Sequence, residues 1–148
     1  MTEIEAAVGL IQLGKLPEWR ASRTGHAAIW AAALRQVPGL RVPEPARNLT
    51  AAWYKLYAYV DADPGENEKL RDRILQAAAA EGLRAFSGSC SEIYREAAFA
   101  DMEVEPLPVA HELGRTSLMF EVHPTLDRRR LGARAEAFAD IARKVLSG

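Results

Sequence analysis

Apolar residues Ile4, Ala7, Val8 and Ile11 recur at three- and four-residue intervals, which gives one apolar face to a helix near the N-terminus. Thr2 followed by Glu5 fits a capping box at its start. Gly14 breaks or ends that helix, and Pro17 suits the first turn of a second one. The second helix carries Trp19, Ile29, Trp30, Ala33, Leu34 and Val37 and stops before Pro38-Gly39. Residues 38–49 hold three prolines and no period, so they predict a loop. From Ala52 to Val60 the period changes to two: Trp53, Lys55, Tyr57 and Tyr59 alternate with Tyr54, Leu56, Ala58 and Val60. This is the pattern of a half-buried strand. Asp61 to Gly65 is turn chemistry. Glu66 to Glu81 predicts a helix with Leu70, Ile74, Leu75 and Ala78 inward, and Gly82 takes the C′ position.

Leu83 to Phe86 predicts a short second strand, and Ser117 to Val122 a third, closed by His123-Pro124-Thr125. Between them lie a helical turn or two at Tyr94–Phe99, an acidic proline-containing loop and a short helix at Val109–Leu113. Arg129 to Leu146 is the last helix, with Leu131, Ala135, Phe138, Ile141, Ala142 and Val145 on one face. The sum is an α+β domain: a small three-stranded mixed or antiparallel sheet, helices packed on one face, and two helices in front. The third strand is expected between the first two and antiparallel to both, with a right-handed crossover joining those two.

The 148 residues suffice for one domain with a real core. A net charge of −1 gives no basic footprint for nucleic acid. No apolar run approaches the roughly 18–20 residues that span a bilayer, and no signal peptide is visible, so no membrane partner is expected. One cysteine builds neither an internal disulfide nor a thiolate metal site, which fits a reducing cytoplasm.

Candidate chemistry gathers in Gly88-Ser89-Cys90-Ser91-Glu92-Ile93-Tyr94, where small polar residues, the only cysteine and a tyrosine share seven positions. Cys90 has no activating pattern around it, so a small residue packed in a turn is preferred to a nucleophile paired with His26, His111 or His123. The histidines lack metal-ligand spacing, and no glycine-rich phosphate loop is present. Arg128-Arg129-Arg130 reads as a solvated helix start before an anion site, and the aromatic strand as core before a stacking platform. From the residues alone the chain is an α+β domain with no self-sufficient active site: no catalytic residue, no metal ligand.

Three stretches together resemble a known family. Met1-Thr2-Glu3-Ile4-Glu5-Ala6-Ala7-Val8-Gly9-Leu10-Ile11-Gln12-Leu13 with Lys15-Leu16-Pro17-Glu18-Trp19 resembles the segment leading into the C-terminal domain of the DegT/DnrJ/EryC1/StrS aminotransferases. Gly88 to Tyr94, and Thr116 to Leu126, are similar to a subgroup associated with nucleotide-sugar and surface-polysaccharide pathways. The resemblance implies a pyridoxal-phosphate (PLP) enzyme of fold type I that aminates a keto-sugar nucleotide, commonly from glutamate, as a homodimer with shared active sites. It also implies that residues 1–148 are the small C-terminal domain, with residues 1–14 a helix that packs on an absent N-terminal PLP domain. The Schiff-base lysine would lie in that domain. Lys15, Lys55, Lys69 and Lys144 do not stand in the family's Ser-x-x-Lys context, so this chain is expected to bind no cofactor and to be inactive alone.

Many members carry a His-Tyr pair and a further His in the loop matching Gly88 to Tyr94. Here Ser89 and Cys90 fall at the pair and Tyr94 at the later His, so location carries over and chemistry does not. Ser89, Cys90, Ser91 and Tyr94 are the expected substrate-binding residues, their hydroxyls offering hydrogen bonds to a sugar or phosphate. Glu92 has a second role open to it, capping the helix that follows, and a purely structural turn is the competing reading of the loop. A stand-alone ligand-binding or interaction module without catalysis is the alternative for the whole chain.

Overall fold

A computed structural model describes every residue of the chain except Ser89 and Glu103. Helix α1 (Glu3–Leu34) is followed by strand β1 (Leu40–Arg41), strand β2 (Lys55–Val60), helix α2 (Asn67–Ala80), helix α3 (Pro108–Thr116), strand β3 (Ser117–Glu121) and helix α4 (Arg128–Leu146). Short 3-10 turns occupy Ile93–Arg95 and Ala97–Phe99, the stretch expected to hold a helical turn or two.

The two N-terminal helical stretches run on as one helix of 32 residues, opened by the Thr2/Glu5 capping box. Proline at position 17 removes one backbone donor, whose acceptor would be the carbonyl of Leu13. Leu13 is exposed, and a Cβ on Gly14 would meet nothing within 4 Å, so the freed carbonyl lies on an open stretch of the helix. Burial begins only at His26, Ala27, Trp30, Ala31, Ala33 and Leu34.

The sheet order is β1-β2-β3, antiparallel throughout, with Leu56 opposite Phe120 and Ala58 opposite Leu118. Its inner face presents Leu56, Ala58, Val60, Leu118, Phe120 and Val122, each at most 1% exposed. Helices α1, α2 and α4 cover that face with Trp30, Leu34, Ile74, Ala78, Leu131, Ala135 and Phe138. Trp30, Phe120 and Phe138 meet at its centre, with ring centroids 4.5 Å apart for Trp30–Phe120 and 4.9 Å for Phe120–Phe138, the latter edge to face. Trp30 Nε1 donates to the Glu121 carbonyl at 3.2 Å, so the one polar atom of this cluster is satisfied.

Two details depart from the sequence pattern. Residues 40–41, inside the stretch read as a loop, pair with the end of β2: Gly39 turns the chain at φ +85°, and its carbonyl accepts from Asp61 N–H at 2.8 Å. Conversely, Leu83–Phe86 does not form a strand. It makes one antiparallel bridge, Phe86 to Met119. Even so, β3 lies between β2 and this segment and is antiparallel to both. The departure of α2 toward it is set by Gly82 at φ +70°: Leu83 N–H bonds the Ala78 carbonyl and Gly82 N–H that of Ala79, a Schellman end. Among the described residues, no helix is long and apolar enough to cross a membrane.

Candidate functional site

Beyond the bridge at Phe86, the chain bends over the outer face of the sheet and into a cleft of about 710 Å³. Its walls are Ser87, Gly88 and residues of the stretch from Cys90 to Ala97, helix α3 and the first turn of α2. Gly88 makes the bend at φ +95°, and a Cβ there would stand 2.8 Å from Ser117 Oγ and 3.3 Å from Tyr57 Cε1. Ser117 Oγ donates to the Ser87 carbonyl and pins the start of the loop to β3. On the far side, a Cβ at Gly114 would collide with Ser91 Oγ, so glycine there lets the loop lie against α3.

A chain of polar side chains crosses the cleft. Glu92 is its centre, with a side chain only 13% exposed. It accepts from Tyr94 Oη at 2.6 Å, from His111 Nδ1 at 3.1 Å and from Arg95 Nη1 at 3.3 Å. Arg115, four residues after His111 on α3, directs Nη1 at His111 Nε2 at 3.1 Å and Nε at Glu68 Oε2 of α2 at 2.8 Å. A guanidinium only donates, so Nε2 is the accepting nitrogen and Nδ1 carries the proton toward Glu92. Arg71 locks the same corner, donating to the Gly114 carbonyl at 3.2 Å and to Asp72 at 2.6 Å. The Tyr94 hydroxyl, followed by His111 and Arg95, holds the Glu92 carboxyl below its ordinary range, while Glu92 in turn raises the Tyr94 phenol. Glu92 is therefore a fixed anion at neutral pH and Tyr94 a neutral donor.

The expected site residues divide. Cys90 and Ser91 line the cleft. Tyr94 lies behind it, its O–H given to Glu92 and its oxygen accepting from Leu107 N–H at 3.3 Å. Ser89 lies outside the described residues. The Glu96 carboxylate raises the Cys90 thiol, which keeps it protonated, the opposite of what a nucleophile needs. Glu92 makes no side-chain cap bond to the 3-10 turn it precedes, because its carboxylate is held within the cleft. His26 is buried, with Nδ1 on the His123 carbonyl at 3.0 Å, and His123 bonds Thr125 Oγ1 at 2.8 Å, so both histidines are structural. Glu68, His111 and Arg115 carry no sequence signal as a set. The one visible trace is the i, i+4 spacing of His111 and Arg115, which puts them on one helix face. Among the described residues no group of acidic, histidine or cysteine side chains could hold a metal ion, and the cleft lining includes no lysine.

Comparison with known proteins gives this cleft its context. An aminotransferase from Psychrobacter cryohalolentis is 41% identical, superposes with a TM-score of 0.79, and matches 95% of this chain against 40% of its own. The erythromycin biosynthesis sensory transduction protein EryC1 of Saccharopolyspora erythraea is 28% identical over 130 residues, which is 86% of this chain and 33% of that protein. Spr1654 of Streptococcus pneumoniae, solved in its PLP form, shares the fold at a TM-score of 0.82 and 17% identity, over 98% of this chain and 36% of its own. The chain thus spans a third to two fifths of the length of these relatives. The sequence model of the DegT/DnrJ/EryC1/StrS aminotransferase family matches residues 1–136. With that match running from the first helix into α4, the chain belongs to the DegT/DnrJ/EryC1/StrS aminotransferase family.

Proposed function

We propose that these 148 residues are the small, C-terminal domain of a PLP-dependent aminotransferase that acts on a keto-sugar nucleotide, and that the cleft at Glu92 is this domain's share of the substrate site. The observation that carries the reading is the coincidence of a family match over residues 1–136 with a pre-organised polar cleft in the loop singled out by its chemistry. Substrate groups would meet Ser89, Cys90 and Ser91 along the loop. Tyr94 would act by holding Glu92 in place to accept sugar hydroxyls.

The cofactor itself does not fit this cleft. Its aldehyde needs an amine, and none of the lysines lines the cavity: Lys55 lies 3.9 Å from Glu121 on the sheet, and Lys69 is bonded to Glu66 on α2. We therefore assign the PLP-binding domain and its lysine to sequence beyond this chain, with the exposed face of residues 1–14 packed against it. The whole enzyme would be a cytoplasmic homodimer that takes an amino group from glutamate and gives it to the keto sugar. What the present residues contribute is binding and orientation: a fixed carboxylate, a hydroxyl-lined loop and a guanidinium at the far wall.

The test is made in a protein in which this chain is joined to the cofactor domain. Glu92→Gln should raise KM for the sugar nucleotide and leave the spectrum of the bound cofactor unchanged. Unaltered KM in that variant, or the lack of any cofactor domain encoded with this chain, would overturn the assignment.

A further inference from the structure

A second cleft, of about 540 Å³, opens between the end of α2, the turn after β3 and the first turns of α4, and it shares no lining residue with the cleft at Glu92. Its floor is apolar: Leu131 is buried and Leu126 half-buried. Its rim is cationic. Arg84 reaches in from the segment after Gly82, and Arg130 and Arg134 stand one helical turn apart on α4. Thr125 also lines the cavity, its hydroxyl bonded to His123 Nδ1 at 2.8 Å.

The charge on this rim is not balanced within the cleft. Asp127 is the one acidic residue in the lining; its carboxylate accepts from the Arg130 backbone N–H at 2.9 Å as the cap of α4 and also feels the Arg130 charge, so it offsets one of the rim's three positive charges. Arg84 lies over the Phe86 ring at 5.8 Å and has a distant carboxylate, Glu121, at 3.8 Å. Among the described residues, neither Arg130 nor Arg134 has an ion-pair partner, although Arg134 is half-buried. Ion pairs elsewhere neutralise Arg35, Arg71, Arg95, Arg115 and Arg143. Arg84, Arg130 and Arg134 line one cavity, and an oxyanion seated among them would accept charge-assisted, bidentate bonds. The run 128–130 contributes through Arg130 alone, since Arg128 and Arg129 do not line the cavity.

We propose that this cleft binds a small phosphorylated molecule, its phosphate between Arg84, Arg130 and Arg134 and its organic part on Leu126 and Leu131. Neither family membership nor the sugar-nucleotide reading enters this assignment. The 15N-labelled chain is titrated with phenyl phosphate and, separately, with inorganic phosphate. Saturable shifts confined to residues 82–84 and 125–134 are expected, with phenyl phosphate binding tighter than phosphate because of the apolar floor. Arg130→Gln/Arg134→Gln should weaken binding by about tenfold or more, the effect of losing charge-assisted bonds. Arg84→Gln, on a separate element, should weaken it as well, and Arg73→Gln, an exposed arginine outside the cleft, should not. Shifts that never saturate, a double variant that binds like the parent, or equal losses in Arg73→Gln would overturn the proposal.

Discussion

Gly88→Ala isolates the bend on which the cleft depends. The residue sits at φ +95°, a region that costs a side-chain-bearing residue about 1–3 kcal/mol. The new methyl would also stand 2.8 Å from Ser117 Oγ. That is roughly half an ångström inside the ~3.3 Å at which carbon and oxygen normally meet. The hydroxyl cannot turn aside freely, because it donates to the Ser87 carbonyl, and breaking that bond costs about 0.5–1.5 kcal/mol. The sum is a loss of about 1.5–4.5 kcal/mol. Urea unfolding followed by circular dichroism measures it. A loop that peels away caps the loss and lowers the m-value, so both parameters are read. Ser117→Ala in the same background removes the colliding atom and should recover about 0.5 kcal/mol or more as a coupling term. A Gly88→Ala protein within about 0.5 kcal/mol of the parent, or additive effects of the two changes, would refute the reasoning.

Three further outcomes are expected. Phe138→Ala empties the middle of the Trp30–Phe120–Phe138 cluster, where the side chain is fully buried, and should cost about 3–5 kcal/mol in the same unfolding assay. Pro17→Ala restores the missing helix donor on an exposed surface and should raise both helical ellipticity and Tm, with an upper bound of about 3 kcal/mol. Because the folded Glu92 carboxyl titrates below its ordinary value, its contribution to stability is complete above the unfolded value and is lost as pH falls through the folded one. Glu92→Gln should therefore destabilise at neutral pH and flatten the acid limb of the stability profile, as followed by Tm against pH.

Elements that rest on local pattern were legible before the structure. The Thr2/Glu5 box, the alternation along β2, the Gly82 helix end and the apolar stripe of α4 each involve residues a few positions apart, and each is present. What failed depended on distant partners. β1 forms because Leu40 and Arg41 find Val60 and Tyr59, which no feature of a proline-rich stretch announces. Leu83–Phe86 has strand composition, yet the glycine at 88 and the bend it makes leave room for one bridge only. Gly14 and Pro17 predict a helix boundary, yet α1 runs through both, because a single proline removes only one helix donor and the stretch around it is exposed.

The loop at 88–94 shows the limit most sharply. Its small residues drew notice as a crowd of chemical groups, and their smallness turns out to have a steric cause. Gly88 fits beneath Ser117 and Tyr57, and Ser91 fits over Gly114. The chemistry sits one step away, on residues with no shared motif: Glu92 in the loop, His111 and Arg115 on α3, Glu68 on α2. Sequence separations of 19 between Glu92 and His111 and 47 between Glu68 and Arg115 put this relay beyond any local pattern. The tight turn and the polar relay are nevertheless one device. A loop without a side chain at 88, facing a helix α3 without one at 114, approaches α3 closely enough for Glu92 to accept from His111 Nδ1, so the two glycines help position that carboxylate.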